Sequence, residues 1–182
     1  MCHNRTILQG KGQDKGEFKV NFKNEISSIL SRKVISASIS GSIFAILLGL
    51  FMPDPFGVGI SAIGEYVQKL IIAIPTYLMY SFPVILLYGT ITSIISDYIA
   101  RLISHYTNKK GLKIYLALTL HMLFGLILLW YSLVASILFF ITDYILMKKH
   151  IYKWNNALKS LAIPILVWII FLGYVHMMDL FR

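Results

Sequence analysis

The chain has 182 residues, 57 % of them hydrophobic, and its 17 Lys and Arg against 8 Asp and Glu give a formal charge of +9. A soluble domain of this length could not hide so much apolar surface, which excludes an ordinary globular enzyme and calls for lipid. The basic excess sits between the apolar runs, so it reads as membrane orientation and attraction to anionic lipid rather than as a nucleic-acid surface.

Residues 1–33 form a cytoplasmic N-terminal segment. Its first 15 residues are polar and, with Gly10, Gly12 and Gly16 as breakers, read as flexible. Cys2, the only cysteine, leaves no partner for an intramolecular disulfide and reads as an ordinary cytosolic thiol. From Glu17 to Leu30, Phe18, Phe22, Ile26 and Ile29 recur at helical spacing among Lys19, Lys23 and Arg32, predicting a short amphipathic helix on the membrane surface.

Residues 34–182 form a transmembrane helical domain. The first span, 34–52, reads as an uncleaved signal anchor and is stopped by Pro53-Asp54-Pro55. Along it Ala37, Gly41, Ala45 and Gly49 recur every fourth residue, with Ser38 and Ser42 beside them. Such a stripe lets helix backbones approach closely, either within the fold or against a partner or second copy. A Gly-containing loop runs to Lys69, and the second span covers 70–96 with Pro75 and Pro83 inside it. Its helix is expected to continue past Asp97 into the interface as far as Gly111. Ser81, Tyr88, Thr92 and Ser96 fall near one face, with further hydroxyls on Tyr77 and Tyr80.

The apolar run from Ile114 to Met147 would make about 51 Å of straight helix, too long for one crossing. Two short spans, 114–129 and 132–147, turning around Trp130 and Tyr131, accommodate it. The last span covers 160–178, with Pro164 in its first turn. Charge favours this five-span arrangement over a four-span alternative. Seven Lys and Arg precede Val34, four lie in 97–113 and four in 142–159, against one in 53–69 and one after Met178. Five spans place the three rich groups inside, whereas four would move the 142–159 group outside. The N-terminus is then cytoplasmic and the C-terminus outside.

Three ionisable residues stand within or at the ends of these spans. Asp97 can meet Arg101 at i,i+4 spacing, and Asp143 has Lys148 and Lys149 nearby. Both carry the same surroundings, Ile95-Ser-Asp97-Tyr-Ile99 and Ile141-Thr-Asp143-Tyr-Ile145, an echo that reads as a shared way of ending a helix or as a cation or proton site shared by two helices. His121 lies well inside a span, as a histidine bonded to a neighbouring helix or as a proton relay. No metalloprotease helix, phosphate loop or dinucleotide fingerprint occurs, so neither catalytic residues nor a metal or cofactor site is expected.

His121-Met-Leu-Phe-Gly125 followed by Ala135-Ser-Ile-Leu-Phe-Phe-Ile-Thr-Asp143 resembles the C-terminal half of small uncharacterised membrane proteins from Gram-positive bacteria. The resemblance implies a bacterial plasma membrane and carries over no activity. The residues themselves predict an all-α, polytopic transmembrane bundle. It is expected to be non-enzymatic and to act through contacts with membrane-protein partners or with itself; a small oligomeric transporter or channel is the alternative.

Overall fold

A computed structural model describes residues 5–57, 59–107, 112–127, 130–149 and 153–180. Cys2, Lys109 to Gly111 and the terminal Arg182 lie outside them. Every regular element described is helical: α1 (Arg5–Phe51), α2 (Ile63–Val84), a five-residue π turn (Ile85–Gly89), α3 (Thr90–Thr107), α4 (Leu112–Leu126), α5 (Trp130–Lys149), α6 (Trp154–Ser160) and α7 (Ala162–Leu180).

The first helix differs from expectation. No break separates an N-terminal surface helix from the first span, because α1 runs unbroken for 47 residues. An isolated glycine in a helix costs only about 1 kcal/mol, and this stretch has no proline to stop it. The stop comes at Pro53-Asp54-Pro55. Two glycines with positive φ, Gly57 at 70° and Gly59 at 86°, then turn the chain. The Asp54 carboxylate accepts from Gly59 N–H at 2.7 Å and pairs with Lys69 at 3.3 Å. The next helix starts at Ile63, earlier than the expected Leu70, where Glu65 in its first turn reaches back to accept from Ser61 N–H at 2.8 Å, just ahead of the N-cap Ala62, and so fixes the chain's entry into the helix.

Pro75 and Pro83 lie inside α2 without ending it. Proline lacks an amide donor and crowds the preceding turn, yet α2 runs on to Val84 and passes into the π turn at Ile85–Gly89. The helical rod therefore continues through α3. α4 ends at Leu126 and α5 begins at Trp130, so Trp130 and Tyr131, expected at the turn, both belong to α5. At the other end, α6 and α7 meet at Leu161, three residues before Pro164, whose ring cannot pack over the carbonyl of Ser160.

Contacts fix the direction of each helix. Gly41 lies against Phe82 and Gly49 against Ile74, so α1 and α2 run antiparallel. Tyr88 donates to the Phe124 carbonyl at 2.9 Å, setting α4 antiparallel to the π turn and α3. Gly125 faces Ser136 and Ser132, which reverses the chain again into α5. The result is an all-α bundle in which α1 is the central rod. Its hydroxyls bond within the helix: Ser36, Ser38, Ser40 and Ser42 donate to the carbonyls of Arg32, Val34, Ser36 and Ser38. The packed core joins Ala37 and Phe44 of α1 to Ile85, Ala135 and Phe139.

Four helical stretches among the described residues are long and apolar enough to cross a bilayer: Ile26–Phe51, Ile63–Ser104, Tyr131–Lys149 and Trp154–Met178. The fifth, Leu112–Leu126, is apolar but has 15 residues, about 22 Å against a hydrocarbon thickness of about 30 Å. The chain is a membrane protein.

Candidate functional site

The two aspartates converge. Lys33, wholly buried on α1, extends its ammonium between them, 2.7 Å from Asp97 Oδ2 on α3 and 2.8 Å from Asp143 Oδ2 on α5. Ser93, one turn before Asp97, accepts a further hydrogen bond from the same Nζ. The adjacent Arg32 reaches both carboxylates as well: NH2 donates to Asp97 Oδ2 at 3.4 Å, and Nε lies 3.1 Å from Asp143 Oδ1. That Nε is buried and off the line a hydrogen bond requires, so it is charge-paired without being bonded. Ser36 places its hydroxyl 3.3 Å from Asp143 Oδ1. Two cations and two carboxylates thus form a closed, formally neutral quartet. Neutrality and direct pairing are what permit four ionised groups to leave water together.

The arrangement adds long-range partners to the local pairings expected from spacing. Asp97 and Asp143 are held by α1, 64 and 110 residues from Lys33 in the chain, rather than fixed only by basic neighbours on their own helices. Lys148 instead lies 4.7 Å over the ring of Tyr144. Neither aspartate ends its helix, since α3 continues to Thr107 and α5 to Lys149. The echo around the two residues therefore has a spatial counterpart: α3 and α5 run parallel and deliver one carboxylate each to opposite sides of Lys33. Asp143 is nearly buried, whereas the Asp97 side chain keeps 26 % exposure, so the quartet has one open edge.

That edge faces a cleft of about 50 Å³ lined by Arg32, Asp97, Arg101, Lys113, Asp143 and Tyr144. His121 lies elsewhere, in a second cavity of about 40 Å³ shared with Tyr88, Thr92, Ser132 and Ser136. Its ring packs 5.4 Å from that of Phe139. Ser136 donates to the His121 main-chain carbonyl at 2.6 Å, a helix-to-helix clasp that leaves the imidazole outside the bond. The hydroxyls along α3 mostly close on their own helix, Thr92 to the Tyr88 carbonyl and Ser96 to the Thr92 carbonyl. The Ser81 hydroxyl oxygen is buried and has no hydrogen-bond partner among the described residues.

The small-residue stripe packs inside the molecule. Ala37 and Ala45 are fully buried, and Gly41 and Gly49 meet the side chains of Phe82 and Ile74. The structure thus brings Asp97 and Asp143 together, sets His121 apart, buries Ala37 and Ala45, and packs Gly41 and Gly49 against α2. Among the described residues no group of three or more His, Cys, Asp or Glu is placed to hold a metal ion.

Arg32 and Lys33 were not singled out by sequence reasoning, which counted them with the solvated basic lead. The available signal was their position flush against the first apolar run, at the depth where two spans carry an aspartate. Comparison with protein-family models, curated proteins and solved structures returns no match, so the site is interpreted from its own geometry.

Proposed function

We propose that the chain is a five-span protein of a bacterial plasma membrane, N-terminus inside and C-terminus outside, and that the Arg32–Lys33–Asp97–Asp143 quartet is the working site of a small proton or ion transporter. One observation carries the reading: a fully buried ammonium bridges carboxylates from two separate helices. Ionised groups at membrane depth are costly to keep, and their common use is in ion and proton pathways. Asp97 is the member open to the cleft, so an arriving proton or cation would compete with Lys33 for it. Lys33 would stay paired with Asp143 while the exchange takes place. A separate cavity, lined in part by Thr92, His121 and Ser136, lies in the same bundle. The reading assigns no chemical reaction and no cofactor.

Association with a membrane-protein partner or a second copy is the other reading. The first-span stripe lends it little, since Gly41 and Gly49 pack against α2 and Ala37 and Ala45 are buried within the bundle. It is favoured by α7, where Ile165, Ile169 and Ile170 stand out from the bundle, a face that lipid alone would also satisfy.

The test is flux of protons and of sodium or potassium ions in liposomes containing the purified protein. Asp97→Asn and Asp143→Asn should each reduce the flux more than about tenfold while helicity by circular dichroism and monodispersity are retained, each removing one carboxylate from the pathway. Absence of flux through the unaltered protein, or full flux through both variants, would refute transport by the quartet.

A further inference from the structure

The same three helices line the cleft beside the quartet and the cavity at His121. Thr92 and Asp97 belong to α3, His121 and Ala117 to α4, Phe139 and Asp143 to α5, the first of each pair lining the cavity and the second the cleft. Members of a pair are four or five residues apart, about 6–7 Å along a helix. Cavity and cleft therefore follow one another along one seam. Phe140 stands at their boundary: it lines the cleft, its ring lies 6.3 Å from that of His121, and it stacks on Tyr144.

His121 indicates what the cavity takes. Its side chain lines the cavity, the residue is 3 % exposed, and among the described residues its ring meets only the rings of Phe139 and Phe140, with no hydrogen bond to either nitrogen. An imidazole has both a donor and an acceptor to satisfy, and burying them unmet is costly. The hydroxyls around it are already committed as donors, Tyr88 to the Phe124 carbonyl, Thr92 to the Tyr88 carbonyl and Ser136 to the His121 carbonyl, which leaves their oxygens as acceptors. A molecule that both donates and accepts suits such a lining. About 40 Å³ admits two or three waters, at about 10–15 Å³ each. No carboxylate is among the lining residues, so nothing there offsets the charge of a sodium or potassium ion stripped of its hydration shell. We infer that the His121 cavity holds water and that the ion handled by the quartet is the proton, which reaches Asp97 along that water past the Phe140 ring. The identity of the ion rests on the transport reading above. Asp97 takes the proton on its carboxylate and becomes a neutral acid, so its ion pair with Lys33 is lost while Lys33 stays on Asp143. Release of the same proton into the cleft restores the pair. His121 serves to hold the water in place.

Two measurements test it. Magnetisation transfer from water to nitrogen-labelled histidine rings, with the His121 signal assigned by its loss in His121→Leu, reads hydration without reference to flux; a hydrated His121 ring is expected. Proton, sodium and potassium flux in liposomes is then compared for the unaltered protein, His121→Leu and Gly89→Ala. Gly89 lines the cavity, and a Cβ there meets Phe139 at 3.5 Å, an ordinary contact, so that variant takes up part of the space without a clash. The unaltered protein should pass protons but neither sodium nor potassium, and each variant should lower proton flux at least about tenfold by drying the path. A dry His121 ring, sodium or potassium flux in place of proton flux, or full proton flux through both variants would overturn the inference and leave transport by the quartet standing. Absence of any flux through the unaltered protein would remove the transport reading and the inference with it.

Discussion

Replacing Lys33 with Met removes the ammonium while keeping a flexible apolar stem of similar length, so it isolates the charge from the packing. Two carboxylates then remain where Nζ stood 2.7 and 2.8 Å from them. With an effective dielectric constant of about 20, each of those contacts is worth roughly 6 kcal/mol in direct attraction. Desolvation of a buried ion opposes this by several kcal/mol, and Arg32 stays behind as partial compensation, which brings the expected net loss to about 3–5 kcal/mol. For a chain of this size that corresponds to a fall of about 10 °C in thermal midpoint. The assay is helical melting followed by circular dichroism in one detergent at fixed pH. A companion variant, Lys33→Met/Asp143→Asn, removes one of the stranded charges and should recover about half of the loss, a coupling that independent sites do not show. A Lys33→Met midpoint within about 2 °C of the unaltered protein would mean less than roughly 1 kcal/mol at stake, and the quartet could not be the closed unit described.

Close helix contacts and the order of the spans set further expectations. A Cβ at Gly125 would stand 2.7 Å from Ser136 Cβ, so Gly125→Ala should destabilise by about 1–3 kcal/mol in the same melting assay, whereas Gly173→Ala meets nothing within 4 Å and should be neutral or mildly stabilising. Gly49→Ala places its Cβ 2.6 Å from Ile74 Cγ1 and should also cost about 1–3 kcal/mol, with no change in oligomeric state by size-exclusion light scattering, because the stripe it belongs to is internal. Single cysteines at Gly59, Tyr131 and Asn155 in a Cys2-free background test topology with a membrane-impermeant thiol reagent on intact cells. Labelling at Gly59 and Tyr131 but not at Asn155 is expected for five spans with the N-terminus inside; labelling at Asn155 would support four spans. Ser136→Ala removes the donor to the His121 carbonyl and should lower stability by about 1 kcal/mol; an unchanged midpoint would show that the α4–α5 clasp is made by packing alone.

Much of the bundle was legible because hydropathy, proline and charge act over short stretches of chain. Pro53-Asp54-Pro55 ends α1, the overlong run 114–147 does divide into two helices, and the Gly41–Gly49 stripe marks a place where another backbone comes close. Boundaries were missed where a local device outweighed composition. Glu65, taking the Ser61 amide, fixes the entry into α2 ahead of its apolar run, and the helix runs through Pro75 and Pro83, residues that ordinarily interrupt one. The quartet was illegible for a different reason: its pairings join residues 64 and 110 positions apart, and i,i+4 spacing has nothing to say about them.

A stricter use of depth would have come closer to that site. Four charges can share a membrane interior only at matching heights and with zero sum. The two echoing segments set Asp97 and Asp143 on helices that run in the same direction, and the pair therefore needs a cationic counterpart on a helix between them. Arg32 and Lys33 supply it because α1 continues unbroken through the expected boundary at residue 33, which holds both side chains rigidly at the edge of the apolar run. Had α1 broken there, as an N-terminal surface helix followed by a separate span would require, Lys33 would sit in a joint and solvate. The continuity of α1 and the existence of the quartet are thus a single structural fact: a helix break introduced by Leu30→Pro should loosen both aspartates together.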